Sequence, residues 1–515
     1  MSQSVQIRLL PEQLEDAPLI RGLLSKELGI SANKFEYRWK KRSIDARKKI
    51  IYYNATFEVF LEEAIPDKSL KVAFANVDQA KEVVIIGAGP AGLFAALRCL
   101  ELGLKPVVYE RGKDVRSRRR DLATLNKEGI VNTESNYCYG EGGAGTYSDG
   151  KLYTRSKKRG DIDKALALFV QFGASEDIMI DAHPHIGTNK LPQIIVAMRE
   201  KIIECGGQVH FESKLTDLEI DNGSVKAVQI NHSWVKASDV VLATGHSARD
   251  IFKLLHHKEI RIEAKPFALG VRIEHSQDLI DRIQYHGRLN DAFLPPASYS
   301  LVTQVDGRGV YSFCMCPGGI VAPCATEQEE VVTNGWSPSK RNNPYSNSGI
   351  VVSVYPEDFP GYENDPFVCL RFQQEVEKRC WEAAGKTQKV PAQRMLDFVN
   401  EKVSVDFPRS SYQPGIVSTD LHSILPPMIS KRLQKAFVDF GKKLNGYLTN
   451  DAVLHAPESR TSSPVSIPRD PETCEHTEVK GLYPCGEGAG YAGGIISAAI
   501  DGMKCVDAIA AKYTR

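Results

Sequence analysis

Gly87-Ala88-Gly89-Pro90-Ala91-Gly92 lies between an apolar run, Lys81 to Ile86, and a second run, Gly92 to Leu102, with a third following at Lys105 to Tyr109. The spacing G-x-G-x-x-G between a strand and a helix predicts a βαβ unit with parallel strands and a right-handed crossover. Gly87 permits the tight turn, Gly89 lets the backbone approach a pyrophosphate, and Gly92 lets helix and strand pack closely. Pro90 and Ala91 open a helix whose N-terminus offers free N–H groups and partial positive charge to that pyrophosphate. Glu110 ends the second strand, followed by Arg111, and can accept hydrogen bonds from ribose hydroxyls.

The C-terminus decides between the two common dinucleotides. Leu482 to Cys485 reads as a strand, then come Gly486-Glu487-Gly488-Ala489-Gly490 and Gly493-Gly494, then a helix from about Ile495 to Lys512. Gly488-x-Gly490-x-x-Gly493 repeats the glycine pattern, but 22 residues remain after Gly493, too few for a second dinucleotide domain. A strand, turn and helix at this place resembles the segment that in long flavoproteins supports the ribityl chain and aims a helix N-terminus at the flavin ring. That positive end favours the charge of reduced flavin by about 0.3–2 kcal/mol. FAD is therefore the expected cofactor.

The chain has 515 residues, 42% hydrophobic and 25% charged, with a formal net charge of +1. Such a balance gives no global field for nucleic acid or anionic membrane, and neither partner is expected. No secretory signal is visible at Met1-Ser2-Gln3-Ser4, and the apolar stretch Val83 to Leu97 is too short for a membrane span, so the cytoplasm is the expected location. The 11 cysteines contain no Cys-x-x-Cys, which argues against a disulfide framework and against a dithiol relay beside the cofactor. Cys314 and Cys316, with Cys324 nearby, leave metal or redox work open, buried structural thiols being the commoner case.

Residues 1–80 read as a small α+β module: a strand at Val5 to Leu9, a helix at Asp16 to Leu28, alternation at Phe35, Tyr37 and Trp39, and a strand at Ile51 to Leu61. Lys40-Lys41-Arg42 and Arg47-Lys48-Lys49 read as a solvated strand face and turn, with an RNA or anion patch as the alternative. Residues 81–250 form the first part of the cofactor domain, 251–410 an inserted α+β substrate or cap domain, and 411–515 the return to the cofactor domain. Within these, residues 190–205 are an expected helix, Asp221-Asn222-Gly223-Ser224 a hairpin turn, and Asn334 to Ser348 an exposed loop. Arg118-Arg119-Arg120 reads as a solvated helix face or as a flank of the cofactor phosphates.

Val83 to Gly92, Val107 to Arg111, Leu242-Ala243-Thr244-Gly245 and Cys485-Gly486-Glu487 resemble the signature segments of the glutathione-reductase-like FAD fold. The segments Gly140 to Leu152, His183 to Thr188, Ala243 to Asp250 and Glu458 to Pro464 narrow the resemblance to a bacterial family of FAD-dependent, or NAD/FAD-utilising, dehydrogenases. The resemblance implies an α/β, Rossmann-like FAD domain assembled from several segments. Its cofactor contacts would fall on Gly87, Gly89, Pro90, Ala91, Gly92, Glu110, Arg111, Gly142, Gly143, Thr146, Leu215, Thr244, Gly245, Gly486, Glu487, Gly494 and Ile495. Glu487 departs from the Asp common at its position. The small residues of Gly140 to Gly150 suit close approach to a flat ring, a plain glycine loop being the alternative.

Candidate catalytic residues are Glu458 and Arg460, among Thr461, Ser462 and Ser463, where a capping cluster is the alternative, and His185, where packing is the alternative. No metal site is expected, because His183 and His185 lack carboxylate or thiolate partners at a set spacing. The expected function is an FAD-dependent oxidoreductase that moves a hydride or electron pair to or from a small substrate or a protein electron donor. NAD(P)H is admitted as a transient donor without a domain of its own. The alternatives are an FAD protein that binds or modifies RNA and a non-enzymatic flavin sensor.

Overall fold

The strand Glu82–Ile86, the helix Pro90–Glu101 and the strand Lys105–Tyr109 form a βαβ unit in the computed structural model, which describes residues 2–66, 71–153, 160–289 and 291–513. Five parallel strands follow the spatial order Leu482–Pro484, Val240–Leu242, Glu82–Ile86, Lys105–Tyr109, Gln208–His210. Val83 to Ile86 and Val240 to Leu242 are buried throughout, because helices cover both faces of such a sheet. The strand order turns about Glu82–Ile86, the place where a crevice opens beyond the carboxyl ends of the strands. The long helix Ile495–Tyr513 packs across Pro90–Glu101. A Cβ on Gly502 would come within 2.0 Å of the Ala91 carbonyl oxygen, so only glycine allows this approach.

A second layer is a seven-stranded sheet in the order Val302–Val305, Arg308–Cys316, Tyr345–Val354, Phe267–Ser276, Val453–Glu458, Val390–Arg394, Ile416–Ser418. All its pairs are antiparallel except the last. The helices Val368–Ala383 and Pro427–Lys443 contribute Val376, Cys380, Leu433 and Phe437 to its core. Ile416–Ser418 and Val453–Glu458 belong to this sheet, so the chain re-enters the five-stranded sheet with Leu482–Pro484 and not at residue 411. Asn334 to Ser348 is also not an exposed loop along its length. Its ends are the strands Thr333–Trp336 and Tyr345–Val354, and Ser337, Ser346, Asn347 and Ser348 are buried; Ser337 donates to Asp149, Asn347 accepts from Arg272, and Ser348 donates to the Gly349 carbonyl. The hairpin at residues 221–224 forms, with Asn222 at φ 49° and Gly223 at φ 69°, the left-handed pair that a tight two-residue turn demands.

At the N-terminus, the strands Ser2–Leu9, Tyr52–Leu61 and Phe35–Asp45 make an antiparallel sheet under the helix Ala17–Leu28. Ile20, Leu24, Phe57 and Val59 meet in its core. Asp16 caps the helix by accepting the Leu19 N–H. Lys40 and Lys41 are exposed on the strand, which runs on to Asp45, and Arg47 to Lys49 are exposed in the bend beyond it. Arg42, partly buried, turns to acidic partners. Its guanidinium bonds Asp181 at 2.5 Å and Asp177 at 3.0 Å, and its backbone pairs with Ile180 and Ala182, fastening the module to the cofactor domain. No described helix is long and apolar enough to cross a membrane.

Candidate functional site

The carboxyl ends of four parallel strands deliver Gly87, Glu110, Ala243 and Gly486 to one cavity of about 530 Å³. It is also lined by Phe313 and Cys314 of the seven-stranded sheet and by Asn334 of the strand Thr333–Trp336, which pairs with Ile320–Pro323 in a separate two-stranded sheet. The phosphate-binding turn is fixed by sterics. A Cβ on Gly87 would stand 2.4 Å from the Ala243 carbonyl oxygen, and one on Gly92 would stand 1.8 Å from the Gly87 carbonyl oxygen. Gly89 caps the helix that Pro90 opens, leaving the first-turn N–H groups facing the cavity end.

Glu110, expected to face a ribose, is engaged within the protein. Its Oε2 accepts the Ala88 N–H at 2.8 Å, and its Oε1 accepts those of Gly112 and Gly140, both at 2.9 Å. One buried carboxylate thereby joins the phosphate turn, the end of its own strand and the small-residue loop. Beside it Arg111 stacks over Tyr139 at 4.1 Å and pairs with Glu134 and Asp250, so its charge is already matched within the protein.

The small-residue loop is held from behind by Arg118, which is fully buried. This guanidinium donates to the carbonyls of Asn136 at 2.7 Å, Glu141 at 2.8 Å, and Tyr137 and Gly143, both at 2.9 Å. Of the triplet read as a solvated face, only Arg119 and Arg120 are solvated. A loop of glycines leaves many carbonyls unpaired, and a planar fork with five donors answers them at once.

Farther along the loop, Asp149 and Lys151 are not surface charges. Asp149 is 1% exposed and accepts from Ser337 at 2.6 Å and Arg341 at 2.9 Å. Burial raises its carboxyl, but Lys151, Arg341 and Ser337 outweigh it and bring it down to about 2. The Lys151 ammonium donates to the Met315 carbonyl and lies 3.8 Å from the thiols of both Cys314 and Cys316. Burial opposes its charge, yet Cys314, Cys316 and Asp149 hold it protonated. Cys314 has φ 48° at a break in strand register between Phe313 and Cys316, a strained backbone that turns this residue toward the cavity. Glu487 faces the same space, and burial pushes its carboxyl up to about 7 against the pull of Lys265.

The candidate catalytic residues fare differently. Arg460 reaches the cavity wall, but its guanidinium is locked by Glu377 at 2.7 Å and Glu330 at 2.8 Å. Glu458 does not reach the cavity; it is buried against Arg272. His185 also lies off the cavity, bonding the Ser339 carbonyl at 3.1 Å. Arg with hydroxyls and carboxylate here makes a structural network, because the segment crosses the sheet interior where every charge needs a partner.

Among the cofactor candidates, Gly89, Pro90, Ala91, Gly143, Leu215, Thr244, Gly245, Gly494 and Ile495 line the cavity. Gly92, Gly142 and Thr146 stand behind its wall. A Cβ on Gly142 would strike Thr146 and Ile195, and Thr146 Oγ1 donates to the Glu141 carbonyl. Cavity residues that carried no expected role are Cys138, Tyr139, His246, Lys214 and Lys151, while Cys314, for which redox work was left open, also lines the cavity. Lys151 and His246 lay within segments that carry the resemblance, and Cys138 and Tyr139 directly precede one, whereas Lys214 approaches through folding alone.

Donor set and shape suit a dinucleotide with a flat ring. A helix N-terminus and a carboxylate occupy one end, and Gly245, Gly493 and Gly494 line the space with no atom within 4 Å of where a Cβ would stand. Side chains there would fill the cradle itself. Cys485, Asp501 and Cys505 come close enough to ligate a metal, but Arg469 pairs with the Asp501 carboxylate and Gly486 N–H donates to it, so the group is already satisfied.

Sequence comparison agrees with this geometry. Residues 82–126 match an FAD binding domain, residues 266–461 a family described as FAD-dependent protein, C-terminal domain-like, and residues 1–60 a domain of unknown function, DUF8436. A Clostridium beijerinckii protein described as uncharacterized is 39% identical over 495 residues, 92% of each chain. Among solved structures, L-proline dehydrogenase from P. horikoshii is 12% identical, covering 84% of this chain and 93% of that one, with a TM-score of 0.33. The flavin-dependent brominase Bmp2 is 12% identical, covering 85% and 80%, with a TM-score of 0.35. At these scores the likeness bears on neither activity nor substrate.

Proposed function

Because the chain belongs to the family of FAD-dependent proteins that includes the Clostridium beijerinckii relative, we propose that it is an FAD-dependent dehydrogenase or reductase acting on a small substrate or a protein electron donor. FAD is its cofactor, and when bound FAD supplies two-electron chemistry at its isoalloxazine ring. The observation that carries the proposal is the two-sided cavity: a glycine cradle on the dinucleotide side, and Lys151 and Cys314 on the wall facing it.

The chain's own groups have distinct tasks. The turn Gly87–Gly92 and the helix behind it bind phosphate. Glu110 orients the ribose while fixing three loops. Glu487 accepts from the ribityl hydroxyls. The glycines exclude water by close approach, and the Lys151 ammonium holds a proton and a positive charge where an anionic or carbonyl substrate group can meet it. Arg42, the end of the first basic run, is occupied by Asp177 and Asp181, which takes one cation away from an RNA-binding face.

The test is an anaerobic visible spectrum of the purified protein before and after NADH or NADPH. Bleaching of the flavin bands by either nucleotide, slowed in Lys151→Met at unchanged FAD occupancy, is the expected result. A flavin that neither nucleotide nor dithionite reduces overturns the proposal in favour of a sensor.

A further inference from the structure

Cys138 and Cys324 are 186 residues apart in sequence, yet their Sγ atoms lie 3.7 Å apart. Cys138 comes from the cofactor domain, two residues before Gly140, and lines the cavity. Cys324 follows the strand Ile320–Pro323 of the second domain and is 3% exposed behind it. The two sulfurs are in van der Waals contact, against an S–S bond length of about 2.05 Å. One thiol open to the cavity and one shielded behind it is an arrangement that permits exchange at the first and resolution by the second.

The surroundings differentiate the two. The Ser247 hydroxyl lies 3.4 Å from Cys138 Sγ and itself receives Arg460 Nη1 at 2.9 Å. Cys138 is brought down by the hydrogen bond from Cys324, and further by Arg460, Ser247 and Arg118, against burial. Cys324 is held up by the same bond and by burial, so it keeps the proton.

We propose that Cys138 and Cys324 are a redox-active pair, cycling between two thiols and a disulfide, and that the electron pair released on closing the disulfide passes to the FAD of the same cavity. The proposal rests on FAD being the occupant. In balance, the Cys138 thiolate and the Cys324 thiol form one S–S bond and give up two electrons and one proton. Oxidised FAD takes up both electrons and the proton and becomes the reduced anion. The reverse direction reopens the disulfide. Closing it also staples the two domains across the cavity wall.

The test begins with purified flavoprotein incubated with oxidised glutathione, then freed of it. Half is stripped of flavin. Both halves are titrated anaerobically with dithionite, quenched with iodoacetamide, and mapped by peptide mass. The expected result is a 138–324 cross-linked peptide after oxidation, lost on titrating the flavin-loaded half and kept in the stripped half. The loaded parent should take up four electrons per FAD, and Cys324→Ser two. Failure of the cross-link to form overturns the proposal. So does uptake of two electrons per FAD with the cross-link intact, or equal loss of the cross-link from the stripped half. A protein that neither carries nor takes up FAD overturns the cofactor assignment along with it.

Discussion

Arg272 and Glu458 meet inside the seven-stranded sheet as a two-pronged ion pair, Nε to Oε2 at 2.7 Å and Nη2 to Oε1 at 3.0 Å. Both are essentially without solvent, 0% and 2% exposed. A buried pair of this kind is informative through its breakage. Glu458→Ala leaves the guanidinium with Asn347 at 2.6 Å as its one close side-chain acceptor. The expected loss is about 3–5 kcal/mol. Urea unfolding of the variant checks this, and an unchanged midpoint refutes it.

Arg118 gives a second prediction, about binding. Arg118→Ala frees the carbonyls of Asn136, Tyr137, Glu141 and Gly143 together, so the loop that lines the cavity loses its shape. FAD affinity should fall about tenfold or more, one charge-assisted bond alone being worth about 1.5–3 kcal/mol. Arg119→Ala and Arg120→Ala, on the exposed side of the same helix, should bind FAD as the parent does. Fluorescence titration of FAD into the stripped proteins separates the three.

The phosphate turn gives a third. Gly89→Glu sets a carboxylate into the space of the pyrophosphate, and the purified variant should be colourless. Glu110→Ala removes the acceptor of the Ala88, Gly112 and Gly140 N–H groups as well as any bond to ribose. Its loss of FAD should therefore exceed the ten- to hundredfold of one charge-assisted bond, about 1.5–3 kcal/mol, and be accompanied by a lower unfolding midpoint. A variant with parent stability would show that Glu110 does not fasten the three loops.

A fourth concerns pH. The Glu487 carboxyl rises with burial from 4.5 to about 7, so the flavin-free fold prefers it neutral. Its contribution is fully present below pH 4.5 and is lost as pH rises through 7, on the order of 2–3 kcal/mol by linkage and less where water fills the cavity. Glu274 titrates in the same range, burial raising it to about 7. The comparison is therefore the parent minus Glu487→Gln. That difference should change between pH 4.5 and 7 in flavin-free thermal unfolding, and a flat difference removes the carboxyl from the cavity wall.

The fold of the cofactor domain was legible because its signals are local. Gly87, Gly89 and Gly92 are spaced by the geometry of one turn, Glu110 ends the next strand, and Gly486 to Ile495 repeat a turn before a helix. Short-range sterics and a change from strand to helix periodicity suffice to place such elements. The N-terminal strands were legible for the same reason, apart from Arg42, where polarity suggested solvent and the side chain found two aspartates of another domain.

What only the tertiary structure decided is pairing over long separations. Arg118 and Arg460 look like surface or substrate-binding charges in sequence, and whether a guanidinium meets water, a row of loop carbonyls or two carboxylates depends on elements far along the chain. The absence of Cys-x-x-Cys excluded a local dithiol, but the contact of Cys138 with Cys324 is made by two domains closing on each other. Glu458 and His185 lost their expected places at the cavity for the same reason. Sequence spacing fixes what neighbours along the chain can do, whereas the partners of a buried charge or thiol are set by which strands the sheets bring side by side.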